Sequence, residues 1–394
     1  MDDMHILRRS LHSLILFRSL LRDDALSLLS RALDAREEDE LSRIDAYAAF
    51  VSALFSRSTN LTAYVWSRIV ADENPYVQKR ALGKNDPVLH RLAQTELAAL
   101  CDIARLTGEQ VQGYLGLSGL PAWGTGPAAY AEEYERRMAD IARVGYGMYA
   151  RHNMFQFIQG ELKPVRMPDP IRLSDLKGYA RERELVKANT LALLGGRPAA
   201  NVLLYGDAGT GKSATVKALV NEYAPMGLRL VEVKKSQLLD IPLILEQLRL
   251  NPLKFILFLD DLSFAQTSDE TGVLKAILEG SASAKADNIA IYATSNRRHL
   301  VNEKFSDRSG DDIHHNETVQ EQVSLSERFG LSVHFGKPNR DAYLEIVQGM
   351  LADRGLELEY EALSQLAERF ALERGGRSPR TARQFVEMLL RERE

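Results

Sequence analysis

The sequence contains little cysteine, no long apolar run and no large excess of charge of either sign. Its single cysteine, Cys101, excludes an internal disulfide bond and is typical of a protein from a reducing compartment. No apolar stretch approaches the roughly 20 residues that cross a bilayer, so we expect no membrane partner. The formal net charge of −4 argues against a basic, nucleic-acid-binding surface along the whole chain. These absences predict a cytoplasmic, globular protein.

The first part of the chain has the periodicity of helices. Its 394 residues are enough for two or three domains, and the hydrophobic content of 45% is ordinary for a globular protein. Leu26, Leu29 and Leu33, for example, fall on one helical face. The proline-rich segment KPVRMPDPIRL then indicates a hinge. We therefore expect an all-helical N-terminal domain over residues 1–165, with a role in recognising a partner.

The pattern changes after the hinge to short aliphatic or β-branched runs, most of them separated by helical stretches. The runs are NVLLY, LRLVEV, FILFLD, IAIYA and LSVHF. Near-continuous apolar strands that alternate with helices predict a parallel sheet covered on both faces. From Asp341 onward the pattern is helical again. The expected fold class is α/β, with a nucleotide-binding domain over residues 170–337 and a C-terminal helical lid over residues 338–394.

The segment YGDAGTGKSATVKAL carries the strongest motif. Residues 206–213 match the pattern G-x-x-x-x-G-K-[ST] at every fixed position, between a predicted strand and a predicted helix. The glycines let backbone N–H groups converge on phosphate oxygens, and the helix adds its positive end. Lys212 is expected to reach the β- and γ-phosphates, and Ser213 to offer its hydroxyl to Mg²⁺. The predicted nucleotide contacts are Gly206, Asp207, Ala208, Gly209, Thr210, Gly211, Lys212, Ser213 and Ala214.

Two other predicted strands end in polar residues. Asp260 ends an apolar strand, where an aspartate holds Mg²⁺ through its water shell. Asp261 follows at the position of a base that orients the attacking water; the alternative is an N-cap of the next helix. The stretch ATSN puts Thr294, Ser295 and Asn296 at the end of the following strand, beside the phosphate loop. A polar side chain there can reach the γ-phosphate or the water.

The ordered set of motifs resembles the AAA+ ATPases. It comprises the phosphate loop, DDLSF, YATSNRRHL, SLSERFGLSVHF and SPRTARQF, and together with LKGYARERELVKANTLALLGG it is similar to a bacterial AAA+ group of unknown function. The resemblance covers roughly residues 170 to 390. It implies a P-loop core with a C-terminal helical lid, ATP and Mg²⁺ as ligands, and assembly into a homo-oligomeric ring such as a hexamer.

The resemblance implies a role for each matching residue of the core. Lys212 and Ser213 would be the Walker A pair. Asp260 would be the Walker B carboxylate, which holds the metal together with Ser213. Asn296 would be the first sensor.

It also implies roles for residues outside the core strands. Arg328 would be an arginine finger supplied to the nucleotide of a neighbouring subunit. Arg380 would be the second sensor, with Arg383 as the alternative. Gly178 and Tyr179 would pack on adenine. For Arg328 or Arg380 taken singly, a surface ion pair is the other interpretation.

Asp261 departs from the family pattern, because most AAA+ enzymes have glutamate there. Aspartate is one methylene shorter, so its carboxylate falls roughly 1 Å short, and such a misplacement can cost about a hundredfold in rate. Asp-Asp also occurs in the narrower group, so the local backbone can compensate. We therefore expect slow basal hydrolysis, activated by assembly or by a partner. Glu270 and Glu279 are the weaker candidates for the base.

These observations predict a Mg²⁺-dependent ATPase that uses its nucleotide state to move or remodel a partner, with a protein favoured as the partner. A nucleic-acid-dependent loader is a second hypothesis, supported only by SPRTARQF and by Arg297 and Arg298. A nucleotide-gated binding module with negligible hydrolysis is a third. The polar segment 302–322 is expected to be a loop, and its adjacent residues His314 and His315 lack the further ligands of a metal site.

Overall fold

A computed structural model describes residues 3–262, 269–279, 287–296, 328–356 and 359–391. The chain divides into two compact units, Met1–Arg151 and His152–Glu394. Among the described residues, no helix is both long and apolar enough to cross a membrane. The helices of the first unit are α1 (Asp3–His12), α2 (Asp24–Asp34), α3 (Glu40–Phe55), α4 (Leu61–Ala71), α5 (Pro75–Ala81), α6 (Pro87–Ala104), α7 (Gly108–Leu115), α8 (Tyr130–Ala139) and α9 (Ile141–Val144).

Side-chain caps fix where many of these helices begin. Asp23, Asp39 and Asn60 have extended backbones, and each accepts a hydrogen bond from an N–H group of the turn that follows. Asn74 and Asp86 do the same ahead of a proline in the first turn of α5 and α6. The helices enclose one apolar core, which includes the α2 leucines predicted to share a face and the edge-to-face pair of Phe50 and Trp123.

The second unit is built on a seven-stranded sheet within the described residues. Its strand order is β2-β1-β4-β5-β6-β3-β7, and all neighbouring pairs are parallel except β1 with β2. The five predicted runs form β3 to β7, so the prediction of an α/β fold with a parallel sheet is confirmed. The strands are β1 (Met154–Ile158), β2 (Glu161–Pro164), β3 (Val202–Gly206), β4 (Leu228–Val233), β5 (Lys254–Leu259), β6 (Ile289–Ser295) and β7 (Leu331–Phe335).

The hairpin of β1 and β2 corrects the expectation that the chain is helical up to residue 165. Ile158 pairs with Glu161 across a two-residue turn, in which Gln159 and Gly160 both have positive φ, at 54° and 82°. Such a turn matches the twist of the two strands that it joins. The hairpin pairs through β1 with β4 and belongs to the second unit. Strands of four and five residues are too short to show whether their apolar residues repeat with the period of a strand or of a helix, so the hairpin could not be predicted from periodicity.

Helices follow most of the strands and then form a C-terminal group. Residues of that group, among them Tyr343, Phe370 and Phe385, form their own apolar cluster. The placement of a domain boundary at residue 338 stays a prediction. The helices of the second unit are α10 (Ala180–Leu194), α11 (Lys212–Tyr223), α12 (Ile241–Leu248), α13 (Asp269–Glu279), α14 (Arg340–Ala352), α15 (Tyr360–Glu373) and α16 (Pro379–Arg391).

Candidate functional site

The carboxyl edge of the sheet brings the motif residues together. Because β3, β5 and β6 are parallel, the phosphate loop after β3, Asp260 after β5 and the polar end of β6 lie at one edge. The register places Tyr205 opposite Ser295 and Leu259 opposite Ala293. In open α/β sheets this edge, where neighbouring connections diverge, is where ligands bind.

The phosphate loop needs its glycines for two different reasons. Gly209 and Gly211 have φ of 78° and 92°, in the left-handed region that favours glycine. At Gly206 the neighbouring strand leaves no room, because a Cβ would lie 2.3 Å from the carbonyl oxygen of Phe335. The loop is tied to the end of β7, since the Asp207 N–H donates to the Phe335 carbonyl at 3.0 Å. The helix α11 then begins at Lys212.

Lys212 is buried at the centre of this loop, with 6% of its surface exposed. Its Nζ donates to the carbonyl oxygens of Gly206 and Asp207, at 2.9 and 2.7 Å, and to Oδ1 of Asn296 at 3.1 Å. Burial is the main cause that lowers the pKa of Lys212, against the opposing pull of nearby carboxylates. The ammonium group therefore lies in a desolvated position, where an anionic ligand would favour its charged form.

Asp260 receives two hydroxyl groups on one carboxylate oxygen. Ser213 Oγ donates to Asp260 Oδ1 at 2.6 Å, and Thr294 Oγ1 donates to the same atom at 2.5 Å. Hydroxyl and carboxylate oxygens are ligands that Mg²⁺ accepts. Their 2.6 Å separation is also near the roughly 2.9 Å between adjacent ligands on one Mg²⁺. The residues present fit a magnesium ion that a bound phosphate would help to hold.

Within the described residues, no group of three or more His, Cys, Asp or Glu side chains could enclose a metal by itself. Magnesium in nucleotide sites is usually held by one or two protein groups, by phosphates and by water. Ser213 and Asp260 are the pair that would hold it here. When bound, the ion would neutralise charge on the phosphate oxygens.

Asp261 has a left-handed backbone, with φ at 54°. This conformation is uncommon for residues other than glycine, and asparagine and aspartate tolerate it best. The Asp261 carboxylate accepts a hydrogen bond from the Asn296 side-chain amide at 2.8 Å. The next residue, Leu262, is not helical, and a positive φ is not the extended backbone of an N-cap, so the alternative that Asp261 caps a helix does not describe this structure. Asp261 instead joins Asn296 and Lys212 in one chain of side-chain contacts.

A cavity of about 570 Å³ covers the phosphate loop, which is a typical size for a small-molecule site. The C-terminal helices approach the loop closely, because the Arg380 N–H donates to the Gly209 carbonyl at 3.2 Å. Arg380 and Arg383 both line the cavity. Their neighbour Arg377 is instead paired with Glu368, from Nε to Oε1 at 2.8 Å. Among the described residues, neither Arg380 nor Arg383 has an ion-pair partner.

The predicted adenine residues Gly178 and Tyr179 do not line this cavity. A Cβ on Gly178 would lie 2.8 Å from Cδ1 of Ile346, so that position packs against α14. The Tyr179 hydroxyl donates to the Gly336 carbonyl at 2.5 Å, and burial raises the pKa of Tyr179 to about 12. These two residues position the segment rather than contact the cavity. Their chain neighbours Leu176 and Lys177 do line it, and the assignment of Gly178 and Tyr179 to adenine stays a prediction.

Several lining residues were missed by the sequence reasoning. Leu176 and Met350 contribute apolar side chains to the cavity, and Thr294 joins Asp260 to the end of β6. The sequence placed Thr294 at this strand end but did not predict its bond to Asp260; it shares a face with Asn296, because side chains alternate along a strand. Leu176 and Met350 carry no local signal. The further polar residues of the wall are Asp169, Asp175, Lys177, Arg183, Thr215 and Lys217.

Arg328 lies away from this cavity. It precedes β7, in which Leu331 pairs with Val202 and Phe335 pairs with Gly206. Arg328 is therefore at the amino edge of the sheet, and the phosphate loop is at the carboxyl edge. The side chains of Glu270 and Glu279 lie outside the described residues, as do Arg297, Arg298, His314, His315 and the segment 302–322.

The second unit has the AAA+ P-loop fold: a phosphate loop on a parallel sheet, a paired-aspartate strand, a polar strand beside it and C-terminal helices over the loop. This confirms the resemblance seen in the motifs. The chain belongs to the family described as "Protein of unknown function (DUF815)", whose model matches residues 150–393, more than half of the chain. A comparison with curated proteins gave no match.

Solved structures similar to this chain include the RuvB Holliday junction branch migration motor of Thermotoga maritima. That structure has 18% sequence identity and a TM-score of 0.38, and the match covers 55% of this chain and 63% of that one. One single-substitution variant of that protein has 18% identity and a TM-score of 0.36, and the match covers 55% of this chain and 63% of that one. Another such variant has 17% identity and a TM-score of 0.37, and the match covers 57% of this chain and 65% of that one. The chain thus spans less than two thirds of the length of these structures.

Proposed function

We propose that this protein is a Mg²⁺-dependent ATPase that couples its nucleotide state to the remodelling or movement of a protein partner. The observation that carries the proposal is the hydrogen bonding at the loop. Asp260 takes the Ser213 and Thr294 hydroxyls on one oxygen, and Lys212 connects through Asn296 to Asp261. The groups that would hold the metal, bind phosphate and orient water all line one cavity, which supports the proposal.

Each group has a part in the proposed reaction. Lys212 would exchange its loop carbonyls for the β- and γ-phosphates, while loop N–H groups bind the same oxygens. Asp261 would accept a proton from the attacking water, and Asn296 would hold both that carboxylate and the γ-phosphate in place. Arg380 would stabilise charge on the phosphoryl oxygens from the opposite wall.

The partner and the assembly belong to the same proposal. Arg328 lies at the opposite edge of the sheet from its own phosphate loop, which suits a residue that completes the site of a neighbouring subunit in a ring. The helical unit Met1–Arg151 would select the partner, in the cytoplasm. Nucleic acid is a weaker candidate partner, because the net charge is −4.

The proposal is tested by phosphate release from purified protein with Mg·ATP. We expect slow turnover that EDTA abolishes, and loss of both turnover and calorimetric ATP binding in Lys212→Ala. The matched control is Lys187→Ala, which removes a partly exposed lysine paired with Glu184 on α10 and should change neither quantity. Absence of any heat on adding Mg·ATP to well-folded protein would overturn the proposal.

A nucleotide-gated module without turnover is the second candidate. The short Asp261 side chain favours it, because its Oδ1 already accepts a hydrogen bond from Asn296 and so is less available to a water. Calorimetry and phosphate release separate the two functions. Tight ATP binding with no phosphate release, in the monomer and in any assembly alike, would favour the module over the enzyme.

A further inference from the structure

A second cavity lies within the helical unit, far in sequence from the phosphate loop. It has a volume of about 300 Å³ and lies where the end of α5, the beginning of α6 and the middle of α8 meet. Its charged wall consists of Arg80 from α5, His90 and Arg91 from α6, and Glu135 from α8. The two arginines exceed the single carboxylate, so the cavity favours an anion.

Glu135 is occupied by hydrogen bonds from the protein itself. Its Oε1 accepts from the Tyr76 hydroxyl at 2.8 Å and from the Gln94 amide at 3.0 Å. Because the single hydroxyl hydrogen of Tyr76 goes to Glu135, the contact of 3.0 Å between that hydroxyl and His90 Nδ1 needs the hydrogen on His90. Glu135 therefore holds Tyr76, Gln94 and His90 in place, rather than neutralising an arginine.

The two arginines have no such partner. Neither Arg80 nor Arg91 forms a side-chain hydrogen bond or an ion pair with any described residue. Nε of Arg80 is buried and lacks an acceptor. A buried, charged donor without an acceptor is unfavourable, and such groups in native proteins usually have a partner. The planar forks of two arginines suit the two oxygens of a carboxylate.

We propose that this cavity binds one acidic side chain of a protein partner. Glu135 in the wall would repel a second negative charge, so a continuous polyanion such as a nucleic-acid backbone fits it less well. Val88 is 63% exposed and lies one helical turn before Arg91, and it offers an apolar contact beside the charge. The chemistry is therefore an aspartate or glutamate with an aliphatic neighbour. This inference names the class of partner that the helical unit would select, and it rests on the partner-selecting role in the proposed function.

The test uses the full chain, without nucleotide, so that it stands apart from hydrolysis. Protein with labelled valine and leucine methyl groups is titrated with the blocked tripeptide Leu-Glu-Leu and followed by NMR. We expect shifts of the Val88 methyl signals that saturate, and shifts at least tenfold smaller with Leu-Gln-Leu. Equal shifts with both tripeptides, or none with either, would overturn the proposal.

Variants assign the effect to the arginines. Arg80→Gln and Arg91→Gln should each abolish saturation, and Arg80→Lys should weaken it because lysine lacks the fork. The control is Arg143→Gln, an exposed arginine of the same unit paired with Asp140, which should bind like the wild type. Arg91 is exposed, so its variant is informative even if Arg80→Gln fails to fold. Val88 shifts caused by oligothymidylate but not by the tripeptide would replace the proposal with a nucleic-acid site.

Discussion

The backbone N–H of Asp261 donates a hydrogen bond to the Thr294 hydroxyl, at 2.9 Å between N and Oγ1. The same hydroxyl donates to Asp260 Oδ1 at 2.5 Å, and the Thr294 carbonyl accepts from the Leu262 N–H at 2.7 Å. One threonine on β6 therefore holds both aspartates at the end of β5. It also supports the left-handed backbone that turns the Asp261 carboxylate towards Asn296. These contacts fix the direction of the short Asp261 side chain.

Thr294→Val should lower kcat about ten- to a hundredfold, because a misplacement of about 1 Å at a catalytic group has that effect. It leaves the Asp261 N–H without its acceptor, which costs about 1–3 kcal/mol where the group is buried. Thr294→Ser keeps the hydroxyl and should restore most of the turnover. Steady-state kinetics measure the loss of kcat, and thermal melts measure the loss of folding stability. Equal turnover in the valine and serine variants would show that the hydroxyl positions nothing.

Substitutions at Asp261 separate its carboxylate from its backbone. Asn tolerates the left-handed region, so Asp261→Asn should fold like the wild type and bind ATP, but lose about a hundredfold or more in kcat. Asp261→Gly should be similarly inactive and more stable than Asp261→Ala, by about 1 kcal/mol, because only alanine is strained at φ 54°. Rates from phosphate release and stabilities from urea melts test this. Full turnover in Asp261→Asn would place the base on another carboxylate.

The core strands and the phosphate loop could be predicted from the sequence because their signals are local. NVLLY and FILFLD are apolar because both faces of those strands are covered, and a loop that surrounds phosphate requires glycines at fixed spacing. The lining by Leu176 and Met350 is not local. Leu176 precedes α10 and Met350 lies in α14, and the two segments are far apart in the sequence. In the sequence alone, an apolar residue that lines a cavity cannot be distinguished from an apolar residue of the core. The unpaired arginines of the helical unit are hidden for the same reason.

Arg380 and Arg383 can be ranked by their contacts with the phosphate loop, because only Arg380 contacts Gly209. Besides its backbone contact, Arg380 would lie 3.1 Å, Cβ to Cβ, from a side chain on Gly209. Burial is the main cause of the lowered pKa of Lys212, and the charge of Arg380 adds to it. Arg380→Gln should therefore weaken ATP binding about tenfold or more, as expected for one charge-assisted hydrogen bond. Arg383→Gln should have a smaller effect, and Arg391→Gln, at the end of the same helix, should have none.

Calorimetric titration with Mg·ATP measures all three variants. A larger loss in Arg383→Gln than in Arg380→Gln would reverse the assignment of the second sensor. No loss in either would mean that both arginines serve the wall of the cavity and not the phosphates.

Arg328 should act on the nucleotide of another subunit. Arg328 precedes β7, and Phe335 at the far end of that strand pairs with Gly206 of the phosphate loop. The length of the strand from Leu331 to Phe335 is roughly 13 Å, at about 3.3 Å per residue, so Arg328 is at least that far from its own loop. Arg328→Ala and Asp260→Asn should each abolish turnover, the first by removing the finger and the second by removing the metal carboxylate. In a ring formed from equal amounts of the two, about a quarter of the sites would combine an intact Asp260 with a neighbour's intact Arg328. Mixing should therefore restore about a quarter of the wild-type rate of phosphate release. If rings that contain both variants show no recovery, Arg328 acts within its own subunit.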